Sequence, residues 1–521
     1  MRFVIALCVA GLLAWLGTRS FTNPATVGDG WLWMLAAAVS GGYALRSTER
    51  FFPEPGTRRW LANARGWRWT GAGILAGGVA LNAWANLTLY RQVYDRPATL
   101  AWAVSLLLAV VGLALLQRRD RDGHAESAPA GAGGMGAVHR GLEVALLLGI
   151  VLLAIFLRLY RLHSIPPGIF IDETNAALDA LHIYEGRPDS PFGTGWFETP
   201  SMYAYYLLGL FRVIGINWEA LKAASLLPAI LTVLALYPLG RTLFGAPTAL
   251  AATFVLAVSR WHLTMSRWGW NEVAPPLFQV LGAYFLVRAA KSRRGLDFGL
   301  AGLLFGLGMY TYLASRLVVA AVVLYLLYRC IVERGFLRRA WPGLLLMALL
   351  YVMTFAPLAA TYLRDPFTFL NRSQQVSIMN DVRQAGSYQP LLENLRRHLE
   401  MFTVQGDLNP RHNLPGAPML DPVTGALFLI GLGYAFWRWR DHRRGLLLIW
   451  IGATLVGGML STVAEGPQAY RTLAVVPAIA LLVGDTAVRA WRVLAEGWRT
   501  TATAKPWRSS RSAVVTARVP L

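Results

Sequence analysis

The chain has 521 residues, of which 55% are hydrophobic and only 15% charged, with a mean hydropathy of +0.43. Against roughly a quarter charged residues in soluble domains, this excludes an ordinary soluble protein and indicates an integral membrane protein. The net charge of +21 would suggest nucleic acid in a soluble chain. Here the arginines fall in short segments between apolar runs, where topology rules put them, so no nucleic-acid partner is expected. The two cysteines, Cys8 and Cys330, lie in or beside apolar runs and indicate neither a disulfide framework nor a zinc cluster.

Apolar runs long enough to cross the hydrocarbon core with some tilt occur about fourteen times. They begin with 3–18, 31–46, 69–88 and 98–117. The first, in MRFVIALCVAGLLAWLG, is read as a retained helix rather than a signal peptide, because no small-x-small cleavage site follows it. Residues 1–117 form a four-helix module, and 118–139, polar and without periodicity, are a flexible cytoplasmic linker. The linker's Asp120 and Asp122 spell the D-x-D of nucleotide-sugar transferases, but they sit between arginines with no Rossmann-like unit around them. The core, 140–490, holds runs at 141–160, 219–239, 244–259, 275–290, 297–313, 316–332, 342–361, 422–438, 444–462 and 472–489. A basic cytoplasmic tail, 491–521, follows.

Positive charge then orients these runs. The arginine-rich connections, KSRRG and RWRDHRRG among them, all lie in the cytoplasm if the N-terminus does and if the short run 201–215 does not cross. That run is therefore expected to be a juxtamembrane or half-inserted helix. Two long segments, 162–218 and 361–421, fall on the extracytoplasmic side of a multi-pass cell (inner) membrane protein. In the second, LLENLRRHLEMF places Leu391, Leu395, Leu399 and Phe402 on one face, the pattern of an interfacial helix or of one packed on neighbours.

The stretch PPGIFIDETNAALDALHIYEG puts Asp172 and Glu173 directly after a membrane run. Pro166, Pro167 and Gly168 end that helix, and a new one starts near Asp172 and stops at Gly186. Asp172 as an N-cap and Glu173 as a first-turn acid would explain both without chemistry. Adjacent helical residues point about 100° apart, however, so one carboxylate can face a shared centre while the other braces structure. Glu198 in GWFETPSMY is a further acid on the same segment. Arg158, Arg161, Arg260, Arg267, Arg316 and Arg471 stand at outer ends of runs, where cations are disfavoured. Carboxylates beside guanidinium groups suit a lipid whose phosphate sits at headgroup depth: arginine forks onto phosphate, and a carboxylate takes a proton from an attacking hydroxyl.

The order of motifs FIDETNAALDAL, WFETP, EALKAASLLPAILTVLALYPLGRTLFG, SRWHLTMSRWGW, GLGMYTYLASRL, GDLNPRHNLPG and AYRTLAVVPA resembles the GT-C glycosyltransferases. Within them it is similar to protein O-mannosyltransferases and aminoarabinose transferases, in the group called dolichyl-phosphate-mannose-protein mannosyltransferase-like. The resemblance covers about 140–490 and implies an all-α polytopic GT-C-like bundle of about fourteen transmembrane helices with extracytoplasmic juxtamembrane helices. It implies a polyprenyl-phosphate sugar donor, a lipid, glycan or protein acceptor, and transfer outside the cytoplasm with inversion. Asp172 matches the family's base, with Glu173 beside it. Glu198 inherits a substrate-site role. Where aminoarabinose transferases have a lysine after that glutamate this chain has Thr199, which moves the phosphate contact to Arg267, Arg316 and Arg471. His262, Arg411 and His412 in the matched motifs complete the substrate-binding candidates. No metal ligand is expected among them, and the resemblance leaves a divalent-metal requirement open. The rival class is a secondary transporter or flippase for a lipid-linked or anionic solute, disfavoured because the chain has no obvious inverted repeat. A non-catalytic lipid-binding scaffold is a third.

Overall fold

The computed structural model describes residues 2–20, 27–45, 65–92, 94–117, 133–187 and 190–503. Most of the expected linker, including Asp120 and Asp122, and the end of the tail lie outside them. Among the described residues the protein is all α, with twenty helices and no strand. Every one of the apolar runs read from the sequence is a helix. Among the described residues, eight helices are long and apolar enough to cross a bilayer, and five more apolar helices are shorter.

Helices α1 (Arg2–Ser20) and α2 (Val27–Leu45) form one hairpin, and α3 (Arg65–Arg91) and α4 (Arg96–Leu116) another. The core follows with α5 (Gly133–Leu159), α6 (Ile171–Tyr184), α7 (Met202–Ile214), α8 (Trp218–Phe244), α9 (Ala246–Val258), α10 (Arg260–Ser266), α11 (Pro275–Ser292) and α12 (Gly295–Gly308). It continues with α13 (Ser315–Val332), α14 (Phe336–Arg364), the short α15 (Pro366–Gln375), α16 (Ile378–Ala385) and α17 (Gln389–Glu400), then α18 (Pro422–Trp437), α19 (His442–Met459) and α20 (Val476–Thr503). Side-chain caps fix several starts: Asn217 accepts from Ala220 N at 2.9 Å for α8, and Asp421 from Thr424 N at 3.0 Å for α18.

The main hydrophobic core is built from α8, α9, α11, α18, α19 and α20, with α20 nearly enclosed and α5 open over most of its surface. The four leading helices, expected as one module, are two hairpins docked at different places. The α1–α2 hairpin packs on α18 and α20, and α3–α4 packs on α12 and α14. The second hairpin's seat has a chemical cause. Pro357 inside α14 has no N–H to give the Met353 carbonyl, and that freed oxygen accepts from Asn82 Nδ2 at 3.2 Å and Trp102 Nε1 at 3.0 Å. The tail is helical as far as Thr503.

Helix α7, over the run expected not to cross, has 13 residues. At 1.5 Å per residue that is about 20 Å, short of the roughly 30 Å of a bilayer core. It packs on α6 and α8. Helix α17 carries its apolar stripe outward: Leu392, Leu395 and Leu399 are exposed, while the polar Asn394 and His398 are buried. Asn394 Nδ2 reaches the carbonyls of Gly458, Met459 and Ser461, at the end of α19, at 2.8–3.1 Å, so polar contacts seat this helix and leave its leucines free. Of the face expected there, Leu395 and Leu399 are exposed, Leu391 is half-buried and Phe402 is buried.

Candidate active site

The two long segments between membrane runs converge at one end of the bundle around a cavity of about 540 Å³. Its walls come from α6, the turn before α7 and the start of α7, the chain between α10 and α11, residues 312–313, the last turn of α15, residues 407–412 and residues 464–470.

Helix α6 begins one residue earlier than expected, with Phe170 as N-cap, so Asp172 is not a cap. Glu173 closes the helix start instead, its Oε2 accepting from Phe170 N at 2.8 Å. Its Oε1 accepts from Lys222 Nζ at 2.5 Å and from Gly269 N, with both charged side chains fully enclosed. Glu173 thus ties α6 to α8 and to the segment before α11. The close approach requires glycine at 269, where a Cβ would sit 2.8 Å from the Leu221 carbonyl. Glu173 was expected to bind substrate; its carboxylate is instead fully enclosed, holds three protein donors and is outside the cavity lining. Lys222, missed by the sequence reading, is the lone lysine of the largely apolar α8.

Asp172, next in line, lines the cavity with its side chain 44% exposed. Its closest cation is Arg411, with Nη1 3.8 Å from Oδ2, and the Arg411 guanidinium lies 3.9 Å over the Phe170 ring. Partial burial pushes the Asp172 carboxyl above the ordinary aspartate range, against the pull of Arg411, Arg372 and His412. His412 also lines the cavity. Its Nδ1 is 2.9 Å from Asp407 Oδ2, which accepts from Ala469 N at 2.8 Å, so the ring is held in place. Arg411 and His412, both named from their motif, thus line the cavity with Asp172.

Four other candidates are elsewhere. Arg267 donates to the carbonyls of Leu157, Arg158, Tyr160 and Ile165 at 2.7–3.0 Å, closing the C-terminal end of α5. Helix ends leave carbonyls without intrahelical donors, and a guanidinium with five N–H groups is suited to collecting them. Arg316 donates to Phe369 O at 2.7 Å and lies 3.8 Å over that ring, bracing α15. His262 is fully buried, with Nδ1 2.8 Å from Arg158 Nη2, outside the cavity lining. Arg471 is buried behind the wall residue Tyr470; Nη2 is 3.3 Å from Glu465 Oε2, and Nη1 has no hydrogen-bond partner among the described residues.

Glu198 stands beside the cavity between the lining residues Phe197 and Thr199. Its Oε1 accepts from Asn371 Nδ2 at 2.6 Å. Phe197 and Glu198 are both in the left-handed backbone region, at φ 49° and 54°, unusual for residues with side chains. Helix α15 holds this turn through Asn371 and through Arg372, whose guanidinium lies 4.2 Å over the Phe197 ring. Arg372 reaches the cavity in the place expected of Arg267 and Arg316. Trp196, Asp179, Glu272, Tyr312, Glu465 and Tyr470 are among the lining residues the sequence reading did not name. A usable signal existed for Glu272, which follows the matched string SRWHLTMSRWGW by one residue, just ahead of two prolines that open α11. Among the described residues no three His, Cys, Asp or Glu side chains converge as a metal site.

The arrangement joins a half-exposed carboxylate in a loose ion pair with Arg411, the guanidinium groups of Arg411 and Arg372, each with one hydrogen bond to a neighbouring amide side chain (Asn409 and Gln375), and aromatic walls. Residues 198–360 match the family described as dolichyl-phosphate-mannose-protein mannosyltransferase. Among solved structures, ArnT from Cupriavidus metallidurans bound to undecaprenyl phosphate is similar at 17% identity, over 71% of this chain and 64% of its own, with a TM-score of 0.47. The Archaeoglobus fulgidus oligosaccharyltransferase in complex with Zn and sulfate is similar at 15% identity, over 68% and 51%, with a TM-score of 0.45. This chain thus spans under two thirds of the length of the first and about half of the second. No curated protein matches. In sequence, then, the stretch from Glu198 to Ala360 carries the pattern of the dolichyl-phosphate-mannose-protein mannosyltransferase family.

Proposed function

We propose that this chain is a membrane glycosyltransferase that moves a sugar from a polyprenyl-phosphate carrier to an acceptor hydroxyl at the extracytoplasmic face, with inversion. The observation that carries the reading is the cavity in which Asp172, Arg372 and Arg411 meet, with one loose ion pair among them, Asp172–Arg411 at 3.8 Å. The family pattern over 198–360 supports it.

In this reading the donor's phosphate lies at Arg372 and Arg411 and its prenyl chain runs into the bilayer. The acceptor hydroxyl gives its proton to an Asp172 oxygen as its own oxygen attacks the anomeric carbon. The bond from that carbon to the phosphate oxygen breaks, and the electron pair leaves with the phosphate, where the guanidinium groups stabilise it. One displacement inverts the anomeric centre. A carboxyl held above the ordinary range is a stronger base, which favours this role for Asp172. Arg471, behind Tyr470, adds positive field without contact, and Glu198 positions the aromatic turn. The acceptor is a lipid, a glycan or a protein.

The test is mass spectrometry of lipids bound to the purified protein, paired with sugar transfer by Asp172→Asn in washed membranes. A polyprenyl-phosphate sugar on the wild type, and a variant that binds it but does not transfer, are expected. Wild-type turnover by the variant would remove Asp172 as base, and absence of any such lipid would remove the donor.

A further inference from the structure

Glu272 lies in the single turn Asn271–Val273 ahead of α11 and lines the cavity together with Asp172. Its Oε2 is enclosed and has no hydrogen-bond partner among the described residues. An ionised carboxylate can only accept hydrogen bonds, and an enclosed oxygen left without a donor is costly. The charged groups that face it are Asp172, of like sign, and Arg471, whose Nη1 is also without a partner among the described residues. Neither is hydrogen-bonded to Glu272, and a group that enters the cavity can supply the donor. A phosphate cannot supply it, since its oxygens are acceptors and its charge has the same sign. Ring hydroxyls can.

The charges in the cavity are therefore polarised. Arg411 stands beside Asp172 and Arg372 lies over Phe197, which gives an anion a place near the mouth of α6. Glu272, on the segment that follows Gly269, offers the opposite demand. We propose that Glu272 is the sugar-recognition residue of this site: its free oxygen accepts hydrogen bonds from the hydroxyls of a neutral donor sugar and turns away sugars that carry a carboxylate. The inference rests on reading the cavity as the donor site and adds the class of sugar.

The experiment measures binding of three probes to the full chain in lipid nanodiscs: farnesyl phosphate, farnesyl-phosphate mannose and farnesyl-phosphate glucuronate. The wild type should bind the mannose probe more tightly than the glucuronate probe. Glu272→Gln keeps the shape but exchanges a charged acceptor for an amide. It should weaken the mannose probe about tenfold, the loss of a hydrogen bond to a charged group, strengthen the glucuronate probe, and leave farnesyl phosphate within about twofold. Opposite changes for two sugars are not a result of general loosening. Equal weakening of all three probes, or no change in any, overturns the proposal. If the variant does not fold, the wild type decides alone, and equal binding of the mannose and glucuronate probes overturns it. Should farnesyl phosphate fail to bind the wild type at all, the donor-site reading falls and this inference with it; if it binds and only the sugar discrimination is missing, the donor site stands and Glu272 loses its role.

Discussion

Towards the other end of the bundle from the cavity, the chain uses the same residue types in the opposite way. There Asp441 caps α19 and pairs with Arg443 and Arg444, and Arg444 passes a second hydrogen bond to Asp485 at 3.1 Å, which also takes Arg489 at 2.9 Å. Guanidinium and carboxylate groups neutralise one another directly. Around the cavity, Arg372 and Arg411 lie on aromatic faces and Asp172 is 3.8 Å from its nearest cation. Charges closed on each other hold helices together, and charges left open mark where a ligand completes the set. The contrast also separates neighbours: Glu173 belongs to the closed kind and Asp172 to the open kind.

The largest effect is expected where a closed pair is broken. Glu173→Gln leaves the Lys222 ammonium buried without its counter-charge, which costs about 3–5 kcal/mol in such settings. Thermal unfolding in detergent should show the loss, and adding Lys222→Met should restore most of it. A Glu173→Gln protein as stable as the wild type would remove the distinction between the two kinds of charge. Asp172→Asn should do the reverse. Stability should be nearly unchanged, because Phe170 and Glu173 start the helix without it. Sugar transfer should fall about a hundredfold or more at retained donor affinity, about 3 kcal/mol of barrier.

The arginines sharpen the comparison further. Arg372→Ala and Arg411→Ala should each weaken binding of a lipid phosphate about tenfold, the order of a charge-assisted hydrogen bond. Arg267→Ala should instead lower thermal stability, because it opens the end of α5. Arg411 also enters the pH profile with a definite sign. Transfer needs Asp172 ionised, so the rate falls as pH drops through the carboxyl's folded value, which already lies above the ordinary range. Arg411 pulls that value down, so Arg411→Ala should move the acid limb to higher pH. A limb that stays in place, read from rates at saturating donor, would put the titrating group elsewhere.

Hydropathy made the helices legible, because each apolar run has to satisfy its own backbone and can do so only as a helix. Asp172, Arg411 and His412, which line the cavity, were named as candidates from their motifs. The division of labour among the cations was not. Arg267 was singled out at the end of a run and Arg372, in the long segment 361–421, was not, and only the fold shows that the first meets the carbonyls ending α5 while the second lies over Phe197. Similarly, Glu173 could be sorted from Asp172 only by meeting Lys222, 49 residues on. Nothing in the local pattern of α3 or α4 shows that they dock on α14, since the cause is a proline in the partner.

That docking gives the smallest and most specific expectation. Trp102 stacks edge-on against Phe192 and Tyr310 while its Nε1 serves the Met353 carbonyl freed by Pro357. Trp102→Phe keeps most of the aromatic contact and removes the N–H. Asn82 still donates to the same oxygen at 3.2 Å, so the carbonyl is not orphaned. The cost should be about 1 kcal/mol, that of one hydrogen bond between neutral groups, seen as a small fall in melting temperature with sugar transfer unchanged. Adding Asn82→Leu, which removes the second donor, should cost more than the sum of the two single changes, because an enclosed carbonyl is then left with nothing. Simple additivity would mean that α3–α4 is held by apolar packing alone and that Pro357 has no part in seating it. Loss of transfer from either single change would mean that this hairpin, which contributes no residue to the cavity lining, nevertheless sets the cavity's shape through Phe192.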